Sequence, residues 1–159
     1  MPDVIIEVSY GSNLKYEIDK ELNILRLDRI LNTSMTYPGN YGYFPNTIAG
    51  DNDPLDALLL TNYKLIPGSI VSTKIIGVLI TKDEKGDDEK VLVVPTDDVD
   101  PCFKGINDIN DINDQIKNKI VHFFENYKKL EKNKFVEVKG FKNADFAKDL
   151  YKNSLIDKK

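Results

Sequence analysis

Two hydrophobic rhythms divide the chain. Through residue 95 the apolar positions come in short runs of strand length, at residues 4–8, 14–19, 24–31, 57–60, 70–80 and 91–95, broken by Gly, Pro, Asn and Asp. From there on they fall at Ile112, Ile116, Ile120, Phe123, Phe124, Tyr127 and Leu130. That is the spacing of one helical face, with Asp111 or a neighbouring asparagine as its candidate cap. One more strand follows at residues 135–138, and Asn143 opens a second helix that runs into a lysine-bearing tail. Gly77 interrupts the longest strand and predicts a bulge or a bend. Residues 37–45, YPGNYGYFP, combine three tyrosines, a phenylalanine, two prolines and two glycines, a composition that favours an ordered, aromatic-braced loop. Strands early and helices late predict an α+β chain built on a small antiparallel barrel.

Residues 1–159 fit one domain, long enough to remove about two thirds of the unfolded surface from water. A formal net charge of −4 argues against a dedicated nucleic-acid binder, which needs a basic face to neutralise phosphates. Cys102 is the single cysteine, so no disulfide can close within the chain and a reducing compartment is permitted. The opening MPDVIIEV lacks the basic start and long apolar stretch of a secretory signal, and no apolar run approaches a membrane span. A cytoplasmic protein with neither nucleic-acid nor membrane partners is the expectation.

The densest chemistry lies at residues 49–60, AGDNDPLDALLL, where Asp51, Asp53 and Asp56 run straight into an apolar strand. Three like charges this close, brought near a core, repel unless a cation sits between them. In an extended segment Asp51 and Asp53 share one face, and the Pro54 bend returns Asp56 towards the same point. Asp, Asn, Gly and Pro are also the usual turn residues, so GDNDP taken alone is more often a solvated loop than a metal site. A calcium-binding EF-hand is excluded, because Pro54 interrupts it and Asn62 stands at its twelfth position.

Elsewhere the charged positions have plain readings. KDEKGDDEK, residues 82–90, reads by itself as a charged hairpin tip. Glu7 reads as the solvent face of an edge strand, and Lys15 with Glu17 as a surface salt bridge worth at most about 1 kcal/mol. Arg29 carries a planar fork of donors that suits phosphate oxygens, while strand alternation turns Asp28 to the opposite face. His122, the only histidine, sits beside the helical stripe as a packing or interface residue.

GDNDPLD resembles the GDGDPLD signature of the soluble family I inorganic pyrophosphatases, with Asn52 where glycine is usual. LKYEID, LDR and YPGNYGYFPNT precede it, and KDEKGDDEK and HFFENYKKLE follow it, in the family's order, so the resemblance covers nearly the whole chain. It implies a five-stranded antiparallel, OB-like barrel with two helices packed outside. The implied activity is Mg²⁺-dependent hydrolysis of inorganic pyrophosphate by a metal-activated water, without a covalent intermediate.

The resemblance also implies roles. Asp51, Asp56 and Asp88 would share a first Mg²⁺, with Asp56 reaching a second, while Asp83 and Asp88, helped by Glu7, hold the ions that arrive with substrate. Asp53 would be the catalytic base or orient the attacking hydroxide. Lys15, Arg29, Tyr41, Lys90, Tyr127 and Lys128 would grip the two phosphates, with Glu17 orienting Lys15 and Tyr37 in the surrounding hydrogen-bond network. Asp87 and Glu84 have no role and face water. The length resembles that of prokaryotic members, which form hexamers. Sparse carboxylates without histidine or thiol ligands suit Mg²⁺. Two other classes remain for comparison: a nucleic-acid-binding barrel, which the clustered aspartates oppose, and a calcium-binding structural module.

Overall fold

A computed structural model describes residues 2–156. In chain order its strands are β1 (Asp3–Val8), β2 (Leu14–Asp19), β3 (Ile24–Ile30), β4 (Asn40–Tyr43), β5 (Asp56–Leu59), β6 (Ile70–Asp83), β7 (Gly86–Pro95) and β8 (Val136–Lys142). Helix α1 (Asp114–Asn126) precedes β8 and α2 (Ala144–Ser154) follows it. Strands β1, β4, β5, β7 and β6 pair in that order, and β6 pairs back to β1, which closes a five-stranded ring as expected. One seam departs from the antiparallel expectation. β5 and β7 run parallel, because the long β6 lies between them in sequence and returns through a hairpin. β8 adds to β6 outside the ring, and β2 with β3 forms a separate two-stranded sheet.

Alternation along the central strands buries both of their faces, which is why they read as unbroken apolar runs. Ala57, Leu59, Val91 and Val93 join Val4, Ile6, Phe44 and Ala147 of α2 in one cluster. Leu58, Leu92 and Val94 join Ile76, Leu79 and the α1 residues Ile120, Phe123 and Phe124 in the other. The expected bulge appears in β6 as a register shift between Ile75 and Gly77.

Residues 37–45 hold more than a braced loop. Asn40–Tyr43 is strand β4, set between β1 and β5, and Gly42 is what lets β1 approach: a Cβ there would lie 1.8 Å from the Ile5 carbonyl oxygen. The bracing itself is present, with Tyr37 packed 4.7 Å from Phe123 and 5.3 Å from Tyr41, ring centre to ring centre.

Helix α1 is shorter than its apolar stripe. Asn113 caps it, its side chain accepting from the Ile116 N–H at 2.9 Å, so Ile112 falls before the helix. Leu130 lies beyond the end and is exposed. Residues Pro101–Phe103 and Ile109–Asp111 form two 3₁₀ turns, the second closed by a capping box between Asp108 and Asp111. Asn143 caps α2 as expected. The final lysines of the tail lie outside the described residues.

Candidate active site

A cavity of about 410 Å³ opens where the β2–β3 hairpin, the β6–β7 hairpin, the start of β5 and the end of α1 meet, and all fourteen site residues named from the sequence line it. Glu7 reaches it from β1, Lys15 and Glu17 from β2, Arg29 from β3, and Tyr41 from β4 with Tyr37 just before it. Asp51 and Asp53 stand on the turn before β5, and Asp56 is the first residue of that strand. Asp83 ends β6, Asp88 and Lys90 lie on β7, and Tyr127 and Lys128 follow α1. His122 is exposed and lies elsewhere.

Asp51 and Asp53 do not share a strand face. The segment is a turn in which the Asp53 N–H donates to Asp51 Oδ1 at 3.1 Å, the self-bonding that favours aspartate in turns. Asn52 sits within it at φ 67°, a left-handed conformation that asparagine tolerates better than most residues. The departure from glycine at this position therefore leaves the turn intact. Glu7 is also unlike its edge-strand reading, for β1 pairs on both sides and Glu7 is 8 % exposed. Its Oε2 accepts from the Ile18 N–H at 2.7 Å and ties the ring to the hairpin. Burial, followed by repulsion from Asp56, overcomes that hydrogen bond and pushes the Glu7 carboxyl up to about 7.

Lys90 is the electrostatic centre of the site. Its Nζ donates to Tyr41 Oη at 2.7 Å, Asp88 Oδ2 at 2.9 Å and Asp56 Oδ2 at 3.4 Å, and the Tyr41 hydroxyl donates to Asp56 Oδ2 at 2.7 Å. Burial pushes Asp56 up to about 6 against the pull of Lys90. At Asp88 the balance reverses, and the charge and hydrogen bond of Lys90 hold the carboxyl below its ordinary value despite burial. Burial also raises Tyr37 and Tyr41 well above the ordinary phenol range and Tyr127 up to about 12, so all three remain neutral donors.

The other cations rest on acids too, several of which sequence reasoning passed over. Lys15 pairs with Glu17 at 2.9 Å and Asp28 at 3.5 Å, and Arg29 reaches the same Asp28 oxygen at 3.6 Å, so Asp28 faces the cavity after all. The Arg29 fork is held by Glu131, Nη1 to Oε2 at 2.8 Å, from a position 102 residues away. Its buried Nε lacks a hydrogen-bond partner among the described residues. Lys128 lies 3.4 Å from Asp83 and 3.7 Å from Glu84. Glu84, exposed as expected, also lines the cavity, and Asp87 is largely exposed as expected. Glu131 stood within the HFFENYKKLE motif, and an acid flanked there by lysines was the available signal.

As they stand, no three acidic, histidine or cysteine side chains among the described residues surround one point closely enough to enclose an ion. Lys90 accounts for this at Asp56 and Asp88 by lying against both. The donor set nevertheless fits Mg²⁺, which takes one or two carboxylates and keeps several waters or phosphate oxygens. Two acids pushed upward by burial and by a neighbouring carboxylate, Glu7 by Asp56 and Asp56 by Asp88, are those a divalent cation would relieve.

Comparison with known proteins agrees with this geometry. Residues 4–159 match the family model described as inorganic pyrophosphatase. The inorganic pyrophosphatase of Sulfolobus acidocaldarius is 51% identical over 147 residues, 92% of this chain and 85% of that one. That of Saccharolobus solfataricus is 48% identical over 157 residues, 99% of this chain and 91% of its own. Among solved structures, the inorganic pyrophosphatase of Helicobacter pylori superposes with a TM-score of 0.95 at 45% identity, over 96% of this chain and 90% of that one.

Proposed function

Because the chain belongs to the inorganic pyrophosphatase family, we propose that it hydrolyses inorganic diphosphate to two phosphates with Mg²⁺, by direct attack of water and without a covalent intermediate. The observation that carries the reading is one cavity with acids and phosphate-gripping cations interleaved on its wall. When bound, divalent cations would offset the charge on the phosphate oxygens and make water a stronger nucleophile. Asp51, Asp56 and Asp88, with Asp83 and Glu7, are the residues that would hold them. Asp53, exposed on its turn, takes the proton of the attacking water or orients it. Lys15, Arg29, Lys90, Lys128 and the neutral hydroxyls of Tyr41 and Tyr127 bind the two phosphates and stabilise the one that leaves. Glu17 orients Lys15, to which it is already paired, and Tyr37 supports Tyr41 through ring packing.

Residues 1–159 act as one domain in this reading, in the cytoplasm, as a homo-oligomer that resemblance makes a hexamer. Exposed apolar side chains such as Ile66, Ile70 and Tyr63 support association. Among the described residues no helix is long and apolar enough to cross a membrane. Phosphate release from diphosphate, ATP and a phosphomonoester, each with and without Mg²⁺, tests the proposal. Diphosphate alone, and only with the cation, should give rapid release. Equal release from ATP would replace the reading with a broader phosphohydrolase.

A further inference from the structure

We infer that Lys90 is a built-in cation that holds Asp56 and Asp88 together before a divalent ion arrives and then competes with that ion for both; this rests on the proposed function, in which the two acids bind metal. An ammonium has three N–H donors. Those of Lys90 face three oxygens, Tyr41 Oη, Asp88 Oδ2 and Asp56 Oδ2, at 2.7, 2.9 and 3.4 Å. The rings of Tyr41 and Phe124, each centred 5.1 Å from Nζ, close its remaining sides, and the side chain is only 3% exposed. No donor is left for a phosphate oxygen. Lys90 can grip substrate only by releasing an acid, and an ion that takes an acid must first displace Lys90.

Competition outweighs any help Lys90 gives in ordering the acids, because other contacts already place them. Asp56 is held by the Tyr41 hydroxyl at 2.7 Å and by the backbone of β5, while Asp88 lies in the β6–β7 ladder opposite Thr81. Removing the ammonium leaves two carboxylates on strands that the ladders hold in place, with no counter-charge between them. Divalent-cation affinity should then rise by roughly tenfold or more, the scale on which one neighbouring charge moves the proton affinity of a carboxylate.

Titration calorimetry with Mn²⁺ in the absence of phosphate tests this on the wild type, Lys90→Met and Lys90→Arg. Lys90→Met should bind Mn²⁺ at least tenfold more tightly, and Lys90→Arg, which keeps the charge, should stay close to the wild type. Affinity in Lys90→Met that is unchanged or weaker overturns the inference, since a purely structural lysine would lose metal with its acids. If the wild type itself takes up no Mn²⁺, the metal reading of the site fails and this inference falls with it. Should Lys90→Met not fold, Lys90→Gln carries the same expectation and the same refutation. In the wild type, Mg²⁺ should also shift the Lys90 ¹³Cε resonance, and a resonance unmoved at saturating Mg²⁺ overturns the competition.

Discussion

Replacing Glu7 with glutamine should stabilise the metal-free protein, and only at neutral to alkaline pH. Glu7 is 8 % exposed, and burial raises its carboxyl from 4.5 to about 7. A folded state that holds a proton more tightly than the unfolded chain is favoured while that proton is present. The benefit is therefore complete below 4.5 and lost as pH rises through 7, where the buried charge must form. At about 1.4 kcal/mol per pH unit the ionised side chain costs roughly 3 kcal/mol above pH 8. Glutamine keeps an acceptor for the Ile18 N–H and never ionises. Glu7→Gln, stripped of metal, should thus gain up to about 3 kcal/mol at pH 8.5, or roughly 6–12 °C in Tm for a domain of this size. At pH 5 the gain should fall below about 1 kcal/mol, because the folded state there still keeps the proton. Thermal melts of both proteins in chelator at the two pH values make the comparison. A gain equal at both would assign the effect to packing, and a loss at pH 8.5 would refute the buried-charge argument outright.

Three further outcomes follow from the same geometry. Asp53→Asn should lower turnover by roughly 10²-fold or more while leaving the melt within about 0.5 kcal/mol, since the residue is exposed and its turn bond comes from its backbone; full activity in the folded variant removes Asp53 from the chemistry. Mg²⁺ should raise Tm in the wild type, by about 2.7 kcal/mol of stability at a hundredfold excess over Kd, and a melt that ignores millimolar Mg²⁺ contradicts a cation site. Gly42→Ala should cost on the order of 4 kcal/mol in urea unfolding, because its methyl group would meet the Ile5 carbonyl oxygen at 1.8 Å, backbone that cannot move without opening the β1–β4 seam. A midpoint near that of the wild type would mean the seam gives more easily than the ring suggests.

What could be read from the sequence depended on whether a local rule decided the structure. Central strands and α1 were legible because their apolar periods follow from which faces are buried. β4 was not, since Gly, Pro and Asn dominate its segment and its strand character comes from partners on both sides. Asp28 shows the same limit at a single residue. Alternation put it on the far face from Arg29, but the ladder pairs Lys15 with Arg29 and then Tyr16 with Leu27. Asp28 is thus the extra residue of a bulge, and a bulge re-aims its side chain. Glu131 was hidden by the 102 residues that separate it from Arg29. These two omissions share a consequence, for they concealed that the acids and cations of the site already neutralise one another. Lys15 rests on Glu17 and Asp28, Arg29 on Glu131, Lys90 on Asp56 and Asp88, and Lys128 on Asp83 and Glu84. A bare anion entering this cavity must break such pairs without replacing the lost cation at each acid, and a bare metal ion meets the converse cost. A ligand that brings both signs, a diphosphate with its divalent cations, can exchange every pair for another. Under the proposed function, this charge pattern would favour the metal–diphosphate combination over either component alone, while leaving a divalent cation able to bind by displacing Lys90.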